Sequence, residues 1–395
     1  MQSSDHSVFD LMAQAHRLYE AQDADGVLRL ASAFVPDGDH PSSRFREDIA
    51  NMLHNLSFTC HAAGNHDVAL TCSTEAARLL PESHLIGLHR SYLLLARRAY
   101  REAWDRTVWQ RAFQPAHPLM WDGVSKIDGL YVRNSNGLGD FIQFLRFIPE
   151  AVRRTGHVYV EVPPGIAPLI REDNPLHGVT LIDRRSAGVV RGTVQGYCEL
   201  VCLPFAMGLG PEEVAMPVPC LRPPANRTRP WHDVVAAHGG IPVGLIWADR
   251  GAGSLRSLPF SALRSLMDIS GIRFFCLQSD KDKSQIHERM LPDNFTDLGV
   301  HDLQNTAAIM KAMRLIIAPD CGLAHLAGAL GVETWMCLSH ACDWRWGNDG
   351  TGSDWYPSAT LFRQDAAGRV GEEPWTSVLS AISGRLRHLV LHESR

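Results

Sequence analysis

A chain of 395 residues with 45% hydrophobic and 21% charged content has the composition of an ordinary globular protein, long enough for two or three separately cored domains. Its 38 basic residues against 43 acidic ones give a net charge of −5, which leaves no electrostatic case for nucleic acid, and no Lys/Arg run is long enough to hold a membrane surface. The stretch Met1 to Asp10 is polar and acidic, without the basic and then apolar pattern of a leader, so the expected location is cytoplasmic, with no transmembrane segment.

In chain order, residues 8 to about 115 predict helix throughout, being rich in Ala, Leu, Arg and Glu and poor in β-branched residues. An internal repeat is visible. Gly64-Asn65-His66-Asp67-Val68-Ala69 is followed by Ala76 and Leu79-Leu80-Pro81, and Ala103 lies thirty-four residues after Ala69, within Ala99 to Trp104. This pattern resembles tetratricopeptide repeats, in which small residues allow paired helices to approach closely and a proline marks the exit. A looser unit, Phe9 to Pro36, precedes it. Such a module serves as a docking surface for a partner or acceptor, or as a helical cap that also self-associates; both readings stay open.

Pro115 and Pro118 then mark a boundary. Gly129 to Arg133 predicts a strand, Asn134 to Asp140 a glycine-rich turn, and Phe141 to Arg154 a helix. The third glycine of the dinucleotide fingerprint is missing, which ranks a dehydrogenase last among the readings. Asp140, at the mouth of this helix, is placed either as its N-cap or as a base for an attacking hydroxyl. Further strands are expected at His157 to Val162, Val179 to Asp183 and Cys198 to Leu203, and their alternation with helices predicts a parallel sheet. Pro217 to Arg229, with four prolines, reads as a linker between domains.

The alternation then restarts. Val243 to Ala248, Ile272 to Leu277, Leu315 to Ala318 and Thr334 to Leu338 predict strands whose carboxyl ends carry Trp247, Gln278, Asp320 and Ser339. The stretch from Leu315 to Leu330 is the most informative: an apolar strand, the turn Asp320-Cys321-Gly322, and a helix from Leu323 that Gly331 terminates. Free N–H groups at such a helix start face a bound anion, with Asp320 as the expected N-cap and His325 in reach of the same anion. Nine cysteines, an odd number with no C-x-x-C pair, are expected to be buried free thiols. Cys337, His340 and Cys342 match no zinc spacing, and no metal site is expected.

Seven stretches in order carry a family resemblance: 136–146 (N-G-L-G-D-F-I-Q-F-L-R), 243–248 (V-G-L-I-W-A), 256–259 (R-S-L-P), 277–278 (L-Q), 319–331 (P-D-C-G-L-A-H-L-A-G-A-L-G), 343–346 (D-W-R-W) and 355–364 (W-Y-P-S-A-T-L-F-R-Q). Together they resemble bacterial tetratricopeptide-repeat glycosyltransferases related to the ADP-heptose:lipopolysaccharide heptosyltransferases. The resemblance implies an α/β fold of two Rossmann-like lobes (GT-B) after an all-α TPR-like helical domain. The boundaries it suggests are a helical domain at 1–115, an acceptor lobe at 116–225, a donor nucleotide-sugar lobe at 226–375 and a C-terminal helix at 376–395.

It further implies an inverting transfer of a heptose-like sugar or hexose from a nucleoside-diphosphate donor to a protein, glycan or lipid-linked acceptor, with no cofactor or metal. By that resemblance Asp140 is the catalytic base. Trp247, Arg256, Gln278, Asp320, Cys321, Gly322, Leu323, His325 and Arg345 bind the donor, the tryptophan being equally suited to core packing. The leaving diphosphate needs charge stabilisation, which a helix N-terminus and a guanidinium supply. The sequence departs from the family at Cys321, where Ser or Thr is usual, at Ala248-Asp249-Arg250-Gly251, where A-G-N-P is usual, and at Arg256, where lysine is frequent. A non-catalytic adaptor with a degenerate pair of lobes is the alternative.

Overall fold

A computed structural model describes residues 2–34, 43–113, 119–170, 177–183, 194–214, 220–249, 256–278, 283, 291–299, 302–340, 342–365 and 374–393. The chain divides into two compact units. The first comprises residues 1–118 with the short returns Gly208–Pro211 and Asp343–Asn348.

In the first unit, helices pair as α1 (Gln2–Glu20) with α2 (Ala24–Phe34), α3 (Ser43–Ala62) with α4 (His66–Leu79), and α5 (His84–Ala96) with α6 (Tyr100–Ala103), followed by α7 (Arg106–Phe113). One turn closes all three pairs. Gln22, Gly64 and Arg98 each take a positive φ, at 56°, 82° and 61°. Their amides donate to the carbonyls of Tyr19, His61 and Leu95, and the next amides, of Asp23, Asn65 and Ala99, donate to Leu18, Cys60 and Leu94. This is the left-handed helix stop, and only Gly64 takes it without steric cost. The internal repeat is therefore a repeated helical hairpin. Ala69, Cys72, Ala76 and Ala103 are buried, and their small side chains are what let the helices touch.

The second unit comprises Leu119–Met207, Glu212–Cys342 and Asp349–Arg395, and holds two parallel sheets. The four strands of the first are β1 (Leu130–Arg133), β2 (Val158–Val162), β3 (Val179–Asp183) and β4 (Gly196–Glu199), in the order β3-β2-β1-β4. The helix expected at 141–154 is α8 (Leu138–Phe144) and α9 (Ile148–Thr155), joined by a 3₁₀ turn. The strand expected at Cys198 to Leu203 runs instead over Gly196–Glu199, then coils through Leu200–Cys202 into α10 (Leu203–Met207). Pro204 has no N–H for a strand ladder but fits a helix's first turn, so the chain leaves the sheet before reaching it. In the expected linker, residues 215–219 lie outside the described set, and α11 (Ala225–Ala236) begins before the predicted end, directly after Pro224.

The second sheet has the order β10-β9-β8-β5-β6-β7. Its strands are β5 (Ile241–Leu245), β6 (Ile272–Cys276), β7 (Phe295–Asp297), β8 (Leu315–Pro319), β9 (Thr334–Leu338) and β10 (Ala359–Arg363), of which β7 and β10 were not expected as strands. Between them come α12 (Phe260–Met267), α13 (Leu303–Ala312) and α14 (Gly322–Ala329), and α15 (Thr376–Glu393) closes the chain. Val243, Leu245, Trp247, Phe274, Leu315 and Ile317 form one core with α12 and α15, whose Leu263, Leu266, Ile382 and Leu386 are fully covered. The C-terminal helix is thus part of this lobe. All nine cysteines are free, seven of them buried.

Candidate active site

Two helix starts meet in the second unit: α8 follows β1 in the first lobe, and α14 follows β8 in the second. A Cβ on Gly139 would lie 2.8 Å from the His325 ring, and one on Gly322 would lie 3.4 Å from Leu138 Cβ. At 139 only glycine permits this approach, whereas a Cβ at 322 would make an ordinary contact. The amides of Ala324 and His325 bond back to the Cys321 carbonyl at 3.0 and 3.2 Å. The first amides of α14, those of Gly322 and Leu323, have no carbonyl within the helix to pair with, and form its electropositive end.

Around this end runs a chain of polar side chains. Tyr356 Oη lies 2.9 Å from His325 Nδ1, His325 Nε2 is 3.8 Å from Asp320 Oδ1, and Asp320 Oδ2 is 3.4 Å from Arg256. Arg256 also pairs with Asp249 at 2.7 Å. Asp320, His325 and Tyr356 are almost fully buried, so the histidine ring is held from both sides. When the tyrosine hydroxyl donates to Nδ1, the imidazole proton sits on Nε2, facing Asp320.

The structure brings Asp140, Arg256, Asp320, Cys321, Gly322, Leu323 and His325 to this region, and it revises several expected roles. Cys321, not Asp320, is the N-cap of α14, with extended backbone and no side-chain cap bond. Asp320 turns toward Arg256 and His325 instead. Burial pushes the Cys321 thiol up to about 12 against the opposing pull of the Ala324 amide, so it is neutral and adds no charge beside an anion. Asp140 is not an N-cap either. It sits three residues into α8 after the cap Gly137, whose amide donates to Asp140 Oδ2 at 3.3 Å.

Three of the expected donor residues hold other partners in the structure. Trp247 is wholly buried against Phe260, their rings 4.9 Å apart, so it builds core rather than lining a crevice. Gln278 is also buried: its Oε1 accepts from the amides of Trp247 and Ala248 at 2.9 Å each, and its Nε2 donates to the Ala248 carbonyl. It continues the ladder past the end of β5 and fixes the segment that presents Asp249. Arg345 belongs to the first unit, where it pairs with Asp343 at 2.8 Å and lies over the Trp344 ring.

Sequence reasoning assigned no role to Tyr356, Asp249 or Arg146. Arg146 is a buried guanidinium that donates to the carbonyls of Gln143, Val214 and Trp355 and lies 4.9 Å from the Trp355 ring centre. It thereby ties the end of α8 to the segment carrying Tyr356. Both Arg146 and Tyr356 fall within motifs that carried the family resemblance, which was the available signal.

Residues 259–334, which contain α14 and its preceding turn, match the family described as glycosyltransferase family 9 (heptosyltransferase). The match covers 76 of the chain's 395 residues, all within the second lobe. The family 9 match begins three residues after Arg256 and includes Asp320 to His325. Protein FlbA of Caulobacter vibrioides is 25% identical across an alignment 384 residues long that covers 88% of this chain; the chain spans 63% of that protein's length. Among solved structures, a glycosyl transferase family 9 protein from Veillonella parvula aligns with 68% of this chain and 99% of its own, at 12% identity and a TM-score of 0.48. The ADP-heptose lps heptosyltransferase II of E. coli aligns with 68% of this chain and 100% of its own, at 15% identity and a TM-score of 0.47. Among the described residues no helix is long and apolar enough to cross a membrane, and no cluster of three or more His, Cys, Asp or Glu side chains is set to hold a metal ion.

Proposed function

We propose that this chain is an inverting, metal-independent GT-B glycosyltransferase moving a heptose-like sugar or hexose from a nucleoside diphosphate to a protein, glycan or lipid-linked acceptor. The observation that carries the reading is the meeting of two helix starts, one bearing Asp140 and the other its first amides and His325, with Arg256 linked to it through Asp320. In this reading Asp140 takes the proton of the acceptor hydroxyl, and that oxygen attacks the anomeric carbon on the face opposite the diphosphate. The bond from carbon to the phosphate oxygen breaks with its electron pair, and the diphosphate leaves against the amides of α14. Arg256, which pairs with Asp249 and Asp320 beside this helix start, is the cation that meets the phosphate in this reading. The helical hairpins supply the TPR-like surface for an acceptor protein or for self-association, and the working compartment is the cytoplasm.

One observation favours the alternative, a non-catalytic adaptor. The cation of the phosphate loop already faces two carboxylates, and the loop carries a thiol where a hydroxyl would bond phosphate. Calorimetric titration with ADP, UDP and GDP, without divalent metal, separates the two readings. Saturable binding of one nucleotide is expected, and binding of none would leave the adaptor.

A further inference from the structure

A second concave feature lies in the same unit, at the far end of α14. It is a pocket of about 670 Å³ whose walls include Arg222 and Pro223 of the linker, Arg229 and His232 of α11, Lys311 of α13 and Leu330 beyond α14. Since α14 has eight residues, rising about 1.5 Å each, roughly 12 Å separates this pocket from the phosphate loop. Asp233 is the one carboxylate among its lining residues, against the three permanent cations Arg222, Arg229 and Lys311, in a chain of net charge −5.

Lys311 has a local explanation. Its Nζ donates to the Leu330 carbonyl at 3.3 Å, where a cation complements the negative end of a helix. Arg222 and Arg229 have none: among the described residues neither guanidinium has a hydrogen-bond or ion-pair partner. The walls are nonetheless firmly placed. Arg227 reaches Asp302 at 3.6 Å, and Trp231 Nε1 donates to Asn305 at 2.9 Å. These contacts hold one face of α11 against α13 and leave Arg229 and His232 to the pocket. The linker is pinned by the amides of Cys220 and Leu221 to the Ala329 carbonyl, and by the amide of Arg222 to Leu169 of the first lobe.

We propose that this pocket binds a phosphate ester, at a site separate from the one at the start of α14. Two guanidinium forks and an ammonium around one concavity suit a multiply charged tetrahedral anion better than a single carboxylate. The volume is that of a small-molecule site, and Pro223 and Leu330 give an apolar wall for the organic part. The phosphate comes from a soluble sugar phosphate or from a phosphorylated lipid headgroup. Because Arg222 lies on the linker and Lys311 in the second lobe, the occupant would also brace the join between the lobes.

The test is calorimetric titration of the full chain with sodium pyrophosphate, at low and at moderate salt. Two sites are expected. The double variant Arg222→Gln/Arg229→Gln loses one of them, at least a tenfold weakening, with its circular dichroism and melting temperature unchanged; Arg256→Gln weakens the other. Pyrophosphate binding unaltered in the double variant overturns the proposal. Loss in Arg256→Gln alone overturns it too while leaving the donor site standing, whereas loss in the double variant alone upholds it and counts against the donor site. Glucose 1-phosphate and vesicles containing a polyprenyl pyrophosphate then compete for the pocket. Displacement by either one supports it and names the source; displacement by neither at millimolar phosphate, like pyrophosphate binding that ignores salt, counts against it.

Discussion

The two sheets of the second unit are built differently. In the second lobe β8 (L-I-I-A-P) and β9 (T-W-M-C-L) are buried at every position, as parallel strands packed on both faces must be. The first-lobe strands are mixed: Leu130, Tyr131 and Val132 of β1 are buried in a row, whereas β2, β3 and β4 all carry partly exposed positions. Tyr131 pairs in register with Tyr159 and Tyr197, and the next residues on that face are Arg133, Glu161 and Glu199. Tyr131 donates to Glu161 at 2.6 Å, and Arg133 lies 3.5 Å from Glu199. The difference shows a division of labour in one parallel architecture. One sheet is a rigid base for the phosphate loop, and the other spends one face on hydroxyls and charges.

The largest expected effect tests that rigidity. Ile317→Ala, on the wholly buried β8, should cost about 2–5 kcal/mol in denaturant unfolding, by lost burial plus a cavity. Thr180→Ala, on the exposed part of the first-lobe face, should change stability by no more than about 0.5 kcal/mol. Equal effects would break the comparison.

The helical unit adds a contrast of its own, in pH. Burial lowers His89 to about 4, with His54 adding to the shift, and its Nε2 contacts Ser57 at 2.9 Å. The unfolded chain takes up this proton near pH 6.5 and the folded one only near 4, so stability is complete above 6.5 and falls as pH drops between those values. The loss is on the order of 3 kcal/mol. His89→Gln should flatten the acid limb of thermal denaturation, and an unchanged limb would remove His89 as its source.

How much of this was legible beforehand follows from the same physics. The strands around the phosphate loop were readable because continuous apolar runs flanked by Pro or Gly have one reading; Thr334–Leu338 appears in the structure with the expected bounds. The hairpin repeat was visible through Ala69, Ala76 and Ala103, but not its shared turn, since Gln22 and Arg98 give no sequence sign of a positive φ. At the site, glycine spacing located both helix starts. The roles of Trp247 and Gln278 were not legible: a residue at a strand's carboxyl end faces either crevice or core, and side-chain direction there depends on partners distant in sequence. Tyr356 reaches His325 across thirty-one residues, a contact that no local pattern encodes.

Two smaller effects sharpen the view of the loop. Tyr356→Phe removes the hydroxyl from His325 and should weaken nucleotide binding about three- to tenfold with the melting temperature nearly unchanged, the loss of about one neutral hydrogen bond. A purely structural tyrosine would lower the melting temperature and leave the affinity alone. Cys321→Ser places an ordinary cap at the start of α14 and should raise stability by ~1 kcal/mol or less while tightening nucleotide binding. Weaker binding in the serine variant would mean the thiol is preferred for shape.

The most direct measurement is the nucleoside diphosphate affinity of the wild-type chain beside Arg256→Ala and His325→Ala, by calorimetry without metal. The proposed site predicts at least a tenfold loss in each variant with the fold intact. Unchanged affinity in both would place the diphosphate elsewhere and contradict the meeting of the two helix starts as the site of transfer.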